Sequence, residues 1–218
     1  MQPERATAIP SRRGLDDPRA LDILTTEHWS LLSTRSLGQQ EITGRATVFI
    51  SIVAATIVAL ALLAQATRFA RGTLSIALLL LLVALLIGVA TFIRCVVISF
   101  EDARWMAGMN LVRKAYLEIV PELAPYFVTS HDPLPDRRGL AHGAPQRLRN
   151  LANSLTTIAG VVAALDSLLA GTLAAGVAAQ AGARTVVLAL VGAAISVVSA
   201  VLHVRGAARY RRRHDLLQ

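Results

Sequence analysis

The sequence predicts an all-α, polytopic membrane protein: four transmembrane helices in two hairpins, with amphipathic helices on the cytoplasmic side. Three observations predict it. Of 218 residues, 54% are hydrophobic and 17% charged, against about 25% charged in an ordinary soluble domain, and mean hydropathy is +0.54. The apolar residues come in long blocks, without the alternation or amphipathic period of a soluble core. The basic residues are concentrated in some connections and sparse in others.

Residues 1–45 form an N-terminal arm. MQPERATAIPSRRGLDDPRA has no apolar region of the kind a signal peptide carries. Ser11-Arg12-Arg13 imitates a twin-arginine signal but runs into Asp16, Asp17 and Pro18. Asp17-Pro18 supplies an N-cap acid and a Pro at the first helical position. A helix is therefore expected over about 18–37, with Gly38 ending it. Leu21, Leu24, His28, Leu31, Leu32 and Arg35 share one face, enough to lie on the membrane or on another helix.

Residues 46–100 form the first transmembrane hairpin. Its first span, 46–67, is free of charge between Arg45 and Arg68, and 68–72 is a tight turn. Its second span, 73–100, holds one charge, Arg94. Both exceed the 20 or so residues that cross the hydrocarbon. The single cysteine, Cys95, excludes an intramolecular disulfide and offers no metal-ligand spacing. It reads as a small buried residue, with S-palmitoylation the alternative.

Residues 101–149 are a polar link. The second helix is expected to continue into EDARWMAGMNLVRKAYLEIV, where Trp105, Met109, Val112, Tyr116 and Ile119 recur at spacings of four and three. That is a seam for a partner helix or the membrane-facing side of an interfacial helix. Glu101, Asp102 and Arg104 read as solvated and partly self-neutralising. Pro121 and Pro125 stop the helix. His131-Asp132, followed by Pro133, reads as a turn.

Residues 150–204 form the second transmembrane hairpin, with spans 150–183 and 185–204 around a turn at 180–184. The third span is longer than a crossing needs, which implies tilt or protrusion. On a helical wheel its small residues, among them Gly160, Ala163, Ala164, Ser167, Gly171 and Ala174, fill one half. Val161, Val162, Leu165, Leu168, Leu169 and Leu173 fill the other. Small residues let helices approach closely and bulky ones suit acyl chains. Gly160, Ala164, Ser167, Gly171 and, on the fourth span, Gly192 are thus the expected packing positions, and the third span is expected to be central.

Asp166 sits at the border of the two halves. Insertion scales put a central Asp at roughly 2.5–3.5 kcal/mol, a cost the surrounding Leu and Val offset. Removal from water favours the uncharged acid. Arg94 lies on the order of 15 Å shallower, so it is expected to snorkel to the headgroups. Gly192, Ser196, Ser199 and His203 line one face of the fourth span. Counting from the turn puts Ser196 and Ser199 level with Asp166. Asp166 is then either a proton or cation site or a protonated acid bonded to Ser196 or a carbonyl. His203 is expected to meet headgroups or cap the helix, with a pH sensor the alternative.

Residues 205–218 are a basic tail, whose Arg211, Arg212 and Arg213 suit anionic headgroups. Eighteen of the 22 basic residues lie in the arm, the link and the tail, against three in the two turns. The positive-inside rule then puts both termini and the link in the cytoplasm of a plasma membrane. Lys114 is the only lysine among them, a composition that reads as GC-rich bacterial coding.

The net charge of +8 comes without a nucleic-acid motif, so nucleic acid is not an expected partner. The five histidines form no HxxxH or HExxH, and GxSxG and phosphate loops are absent. No enzymatic activity, metal or cofactor is expected. The two hairpins share composition only, which does not support an internal repeat.

EHWSLLSTRSL (27–37) and FEDARWMAGMNLVRKAYLEIVPELAPYFVTS (100–130), with the order of spans, resemble an uncharacterised bacterial family of four-span integral membrane proteins with no assigned activity. The resemblance covers most of the chain from about residue 20. It implies a full-length four-span unit and transfers no catalytic or ligand residue.

Three functions are compatible with these features: a homo-oligomeric, channel-like or scaffold assembly; a small proton-coupled transporter using Asp166; and a membrane anchor for a cytosolic partner on the Trp105–Ile119 seam. The lipid bilayer, with its anionic headgroups, is the first expected partner in each.

Overall fold

A computed structural model describes residues 14–68, 72–127 and 157–215. Four α-helices account for most of them: α1 (Ala20–Thr67), α2 (Thr73–Ile119), α3 (Ile158–Gln180) and α4 (Thr185–Asp215). A short 3-10 helix, Pro121–Tyr126, follows α2. Each of the four is long and apolar enough to cross a membrane.

α1 differs from the expected arm helix and separate span: it is one helix of 48 residues, about 72 Å long. Gly38 does not end it. A C-terminal glycine stops a helix by taking a left-handed conformation, and among the described residues the positive-φ glycines are Gly72 and Gly182. Gly38 is instead buried, on the inward stripe of Leu24, His28, Leu31 and Arg35. Leu21 and Leu32, expected on that stripe, are 54% and 37% exposed. α2 runs unbroken past Phe100 to Ile119. The 3-10 helix begins at Pro121, whose missing N–H cannot continue the ladder.

α3 is shorter than the span read from the sequence. Thr157 caps it, its hydroxyl accepting from the Gly160 N–H at 3.1 Å. It ends after 23 residues, about 35 Å, enough to cross the bilayer core. Residues 150–156 lie outside those described, as do His131, Asp132, the turn residues 69–71 and the side chains of Arg211, Arg212 and Arg213. At its other end Gly182, with φ +77°, donates to Ala179 O at 3.0 Å, and Ala183 N–H reaches Ala178 O at 3.1 Å. This is a Schellman closure, and it turns the chain directly into α4.

The chain divides into two compact units. One comprises Met1–Gly38 and Glu101–His142. Within it, Met109 and Val112 of the α2 seam are buried. Tyr116 stands 3.4 Å from Thr25 Oγ1 and beside the His28 ring. Asp102 is not merely solvated: it accepts from Arg35 Nε at 2.8 Å.

The other unit comprises Gln39–Phe100 and Gly143–Gln218. Its core gathers Ala46, Phe49 and Val53 of α1, Leu81 and Ala84 of α2, and Val162 and Leu169 of α3. A second cluster holds Ile42, Cys95 and Ile98. Cys95 is fully buried, as its size and polarity allow. Around this core Ile57, Val58, Leu62, Leu79, Leu86, Leu168, Leu190, Val197 and Leu202 are all exposed. So large an apolar surface is costly in water and matches acyl chains.

Candidate functional site: a buried aspartate–histidine pair

Asp166 is completely buried, and its partner is His203 of α4, whose Nε2 stands 3.0 Å from Oδ2. Ser196 and Ser199, the partners expected from counting along the helices, do not reach the carboxyl. Counting places Cα atoms, but in a helix the Cα–Cβ bonds tilt toward the N-terminus. In two helices running oppositely these tilts carry Asp166 and His203 toward each other. His203 therefore turns inward, away from the headgroup role its position suggested.

Three further side-chain positions close the site. Phe92 of α2 presents itself edge-on to the His203 ring, centroids 4.5 Å apart. Phe49 of α1 is fully buried beside it. Gly88 of α2 lies so close that a Cβ there would overlap Asp166 Oδ1 and come within 2.8 Å of Phe49 Cε2. Gly88 is the only glycine between residues 73 and 100. A single glycine in a run dominated by Leu, Ile and Val is the available signal for this close approach.

The hydrogen bonds fix the proton count. The Ser199 carbonyl oxygen lies 2.8 Å from His203 Nδ1 and can only accept, so Nδ1 carries a proton. One proton then remains for the contact between Nε2 and Oδ2, because two would collide and none would leave facing lone pairs. Asp166 Oδ1 has no hydrogen-bond partner among the described residues. A carboxylate would place part of its charge on that oxygen, in a medium that cannot solvate it. That shared proton sits on Oδ2 or on Nε2, and the pair carries no net charge in either form. Access is from the histidine side, whose side chain is 10% exposed against none for Asp166.

No protein-family model, curated protein or solved structure matches the chain. The functional reading of the pair therefore rests on its own geometry.

The remaining candidates are distributed as follows. Buried residues of α3 are Val162, Asp166, Ser167, Leu169 and Gly171. Val162 and Leu169 belong to the bulky half expected to face lipid, and Ala164, a predicted packing position, is exposed. The inward arc is rotated toward the bulky half because Phe49 and Leu81 require large neighbours to fill the core. That rotation takes Asp166 from the border to the interior. Ser167 is buried with its hydroxyl on Ala163 O, and half-buried Gly160 sits over the Thr157 cap. Gly171 faces Gly192 and Ser196 of α4, leaving no room for a Cβ.

Arg94 reaches toward the N-terminal border of the apolar run 46–67, where its partner is a carboxylate. It makes two bonds to Glu41, Nε to Oε1 at 2.9 Å and Nη2 to Oε2 at 3.0 Å. Arg45 Nε shares Oε1 at 2.8 Å. Arg94 is six residues along α2 from Gly88, about 9 Å, nearer Asp166 in depth than expected but committed to Glu41. Of the seam residues, Trp105 and Ile119 are half-buried.

Proposed function

We propose that this chain is a non-enzymatic integral membrane protein that binds and releases a proton at Asp166–His203, as a small proton-coupled transporter would. The observation that carries the reading is the partner. Serine or a carbonyl would have made Asp166 a static donor, whereas imidazole is itself a proton acceptor that titrates near neutral pH. Intramembrane acids and histidines form the proton relays of pumps and transporters. The proposed setting is a bacterial plasma membrane, with the spans in two hairpins and both termini in the cytoplasm, as the distribution of arginine supports.

Infrared difference spectroscopy between about pH 5 and pH 8 tests the reading directly. The wild-type protein is expected to show a carboxylic-acid C=O band whose intensity changes with pH, and Asp166→Asn is expected to remove it. A band that Asp166→Asn abolishes but that never changes with pH makes Asp166 a permanent clamp and ends the transporter reading.

A second reading is supported by the unit formed from Met1–Gly38 and Glu101–His142. Outside the apolar runs it exposes Trp29 (64%), Leu37 (63%) and Tyr126 (78%), a surface suited to a second copy of the chain or to a cytosolic protein. Under this scaffold reading, Trp29→Ser is expected to lower the oligomeric mass measured by light scattering, with the helical content unchanged. An unaltered mass excludes Trp29 from any such self-association.

A further inference from the structure

Arg45 and Arg94 share one carboxylate, Glu41, and the Arg45 side chain stays 52% exposed. Arg45 immediately precedes the charge-free run 46–67, so the cluster lies where hydrocarbon gives way to headgroups. Directly beside it is an open groove of about 300 Å³, lined by Gly44, Arg45, Val48, Phe49, Ile87 and Thr91. Its walls are apolar apart from Arg45 and Thr91, and the Thr91 hydroxyl is already bonded to Ile87 O at 2.8 Å. Gly44 contributes no side chain, and open space lies where its Cβ would be. A half-exposed arginine at the rim of an apolar groove, at headgroup depth, matches one class of ligand in both charge and polarity.

We propose that this groove binds one anionic phospholipid, with its phosphate on Arg45 and the upper part of an acyl chain against Val48 and Ile87. Phosphatidylcholine has the same chains but no net charge, and inorganic phosphate has the charge but no chain. Neither satisfies both halves of the site. The exposed arginines elsewhere attract anionic headgroups only diffusely, through a screened field. The site is independent of any proton chemistry at Asp166.

The test is the thermal midpoint of the full chain in neutral detergent micelles, titrated with phosphatidylglycerol, phosphatidylcholine or inorganic phosphate. Native mass spectrometry counts the lipid retained. The wild-type protein is expected to gain several degrees and retain one phosphatidylglycerol, with little response to the other two. Arg45→Gln removes the charge. Gly44→Leu fills the groove with a residue that favours the helix more than glycine does. Each is expected to lose at least half of the gain and the retained lipid. Exposed Arg205→Gln should keep both. An equal gain with phosphatidylcholine or with phosphate overturns the proposal. So does a gain that survives Gly44→Leu, or an Arg205→Gln loss as large as that of Arg45→Gln.

Discussion

His203→Ala is expected to destabilise the protein by about 1–3 kcal/mol, the penalty for leaving a buried polar group without its partner. The imidazole is the only hydrogen-bond partner of the Asp166 carboxyl among the described residues, since Oδ1 already has none. Deleting it strands both oxygens of a completely buried group. It also removes the ring that Phe92 packs against. Denaturant unfolding in mixed micelles reads the loss. The variant Asp166→Ala combined with His203→Leu is expected to recover most of it, because an apolar pair has nothing left to desolvate. That double variant separates two roles. If it is stable yet lacks the pH-dependent carboxyl band, the pair exists for proton chemistry rather than for stability. A cost below about 1 kcal/mol for His203→Ala would show that the carboxyl finds another partner.

Gly171→Ala should cost about 1–3 kcal/mol, the range for overpacking. Its new Cβ would overlap Ser196 Oγ and lie 2.5 Å from the backbone oxygen of Gly192. A side chain can rotate away but a backbone oxygen cannot, so α3 and α4 must separate. Ser196→Ala added to Gly171→Ala should therefore recover only part of the loss. Gly192→Ala should cost less, since its Cβ would meet Gly171 O at 3.3 Å and Ala175 Cβ at 3.4 Å, distances that a small shift relieves. Gly44→Ala, with open space beside it, should stabilise by up to about 1 kcal/mol. Thermal midpoints in one detergent give the order. A silent Gly171→Ala would mean that the two helices do not rely on that contact.

In lipid such contacts matter more than hydrophobicity, because a span gains nothing by moving a leucine from acyl chains to another helix. Shape and hydrogen bonding hold α3 and α4 together. Gly171 allows their close approach along one turn of helix, and Asp166–His203 fixes it further along. The pair adds direction to this contact without adding net charge to the interior.

The sequence by itself determined what depends on local composition and backbone chemistry. The four apolar runs, the turn at Gly182, the continuation of α2 beyond Phe100 and its end near Pro121 can be read from residue order, because each depends on neighbours within a few positions. The sequence also marked Asp166 as the residue to explain. Only the tertiary structure decided what answers it. Hydropathy cannot tell a leucine that faces lipid from one that faces Phe49, so the inward arc of α3 was misjudged by the angle that brings Val162 and Leu169 inside. Residue counting cannot register the tilt of side chains, so serine was expected where histidine arrives. Glu41 and Arg94 are 53 residues apart, and no local rule pairs them. Gly38 shows the same limit: a glycine that permits a turn equally permits close packing, and the chain around it settles which.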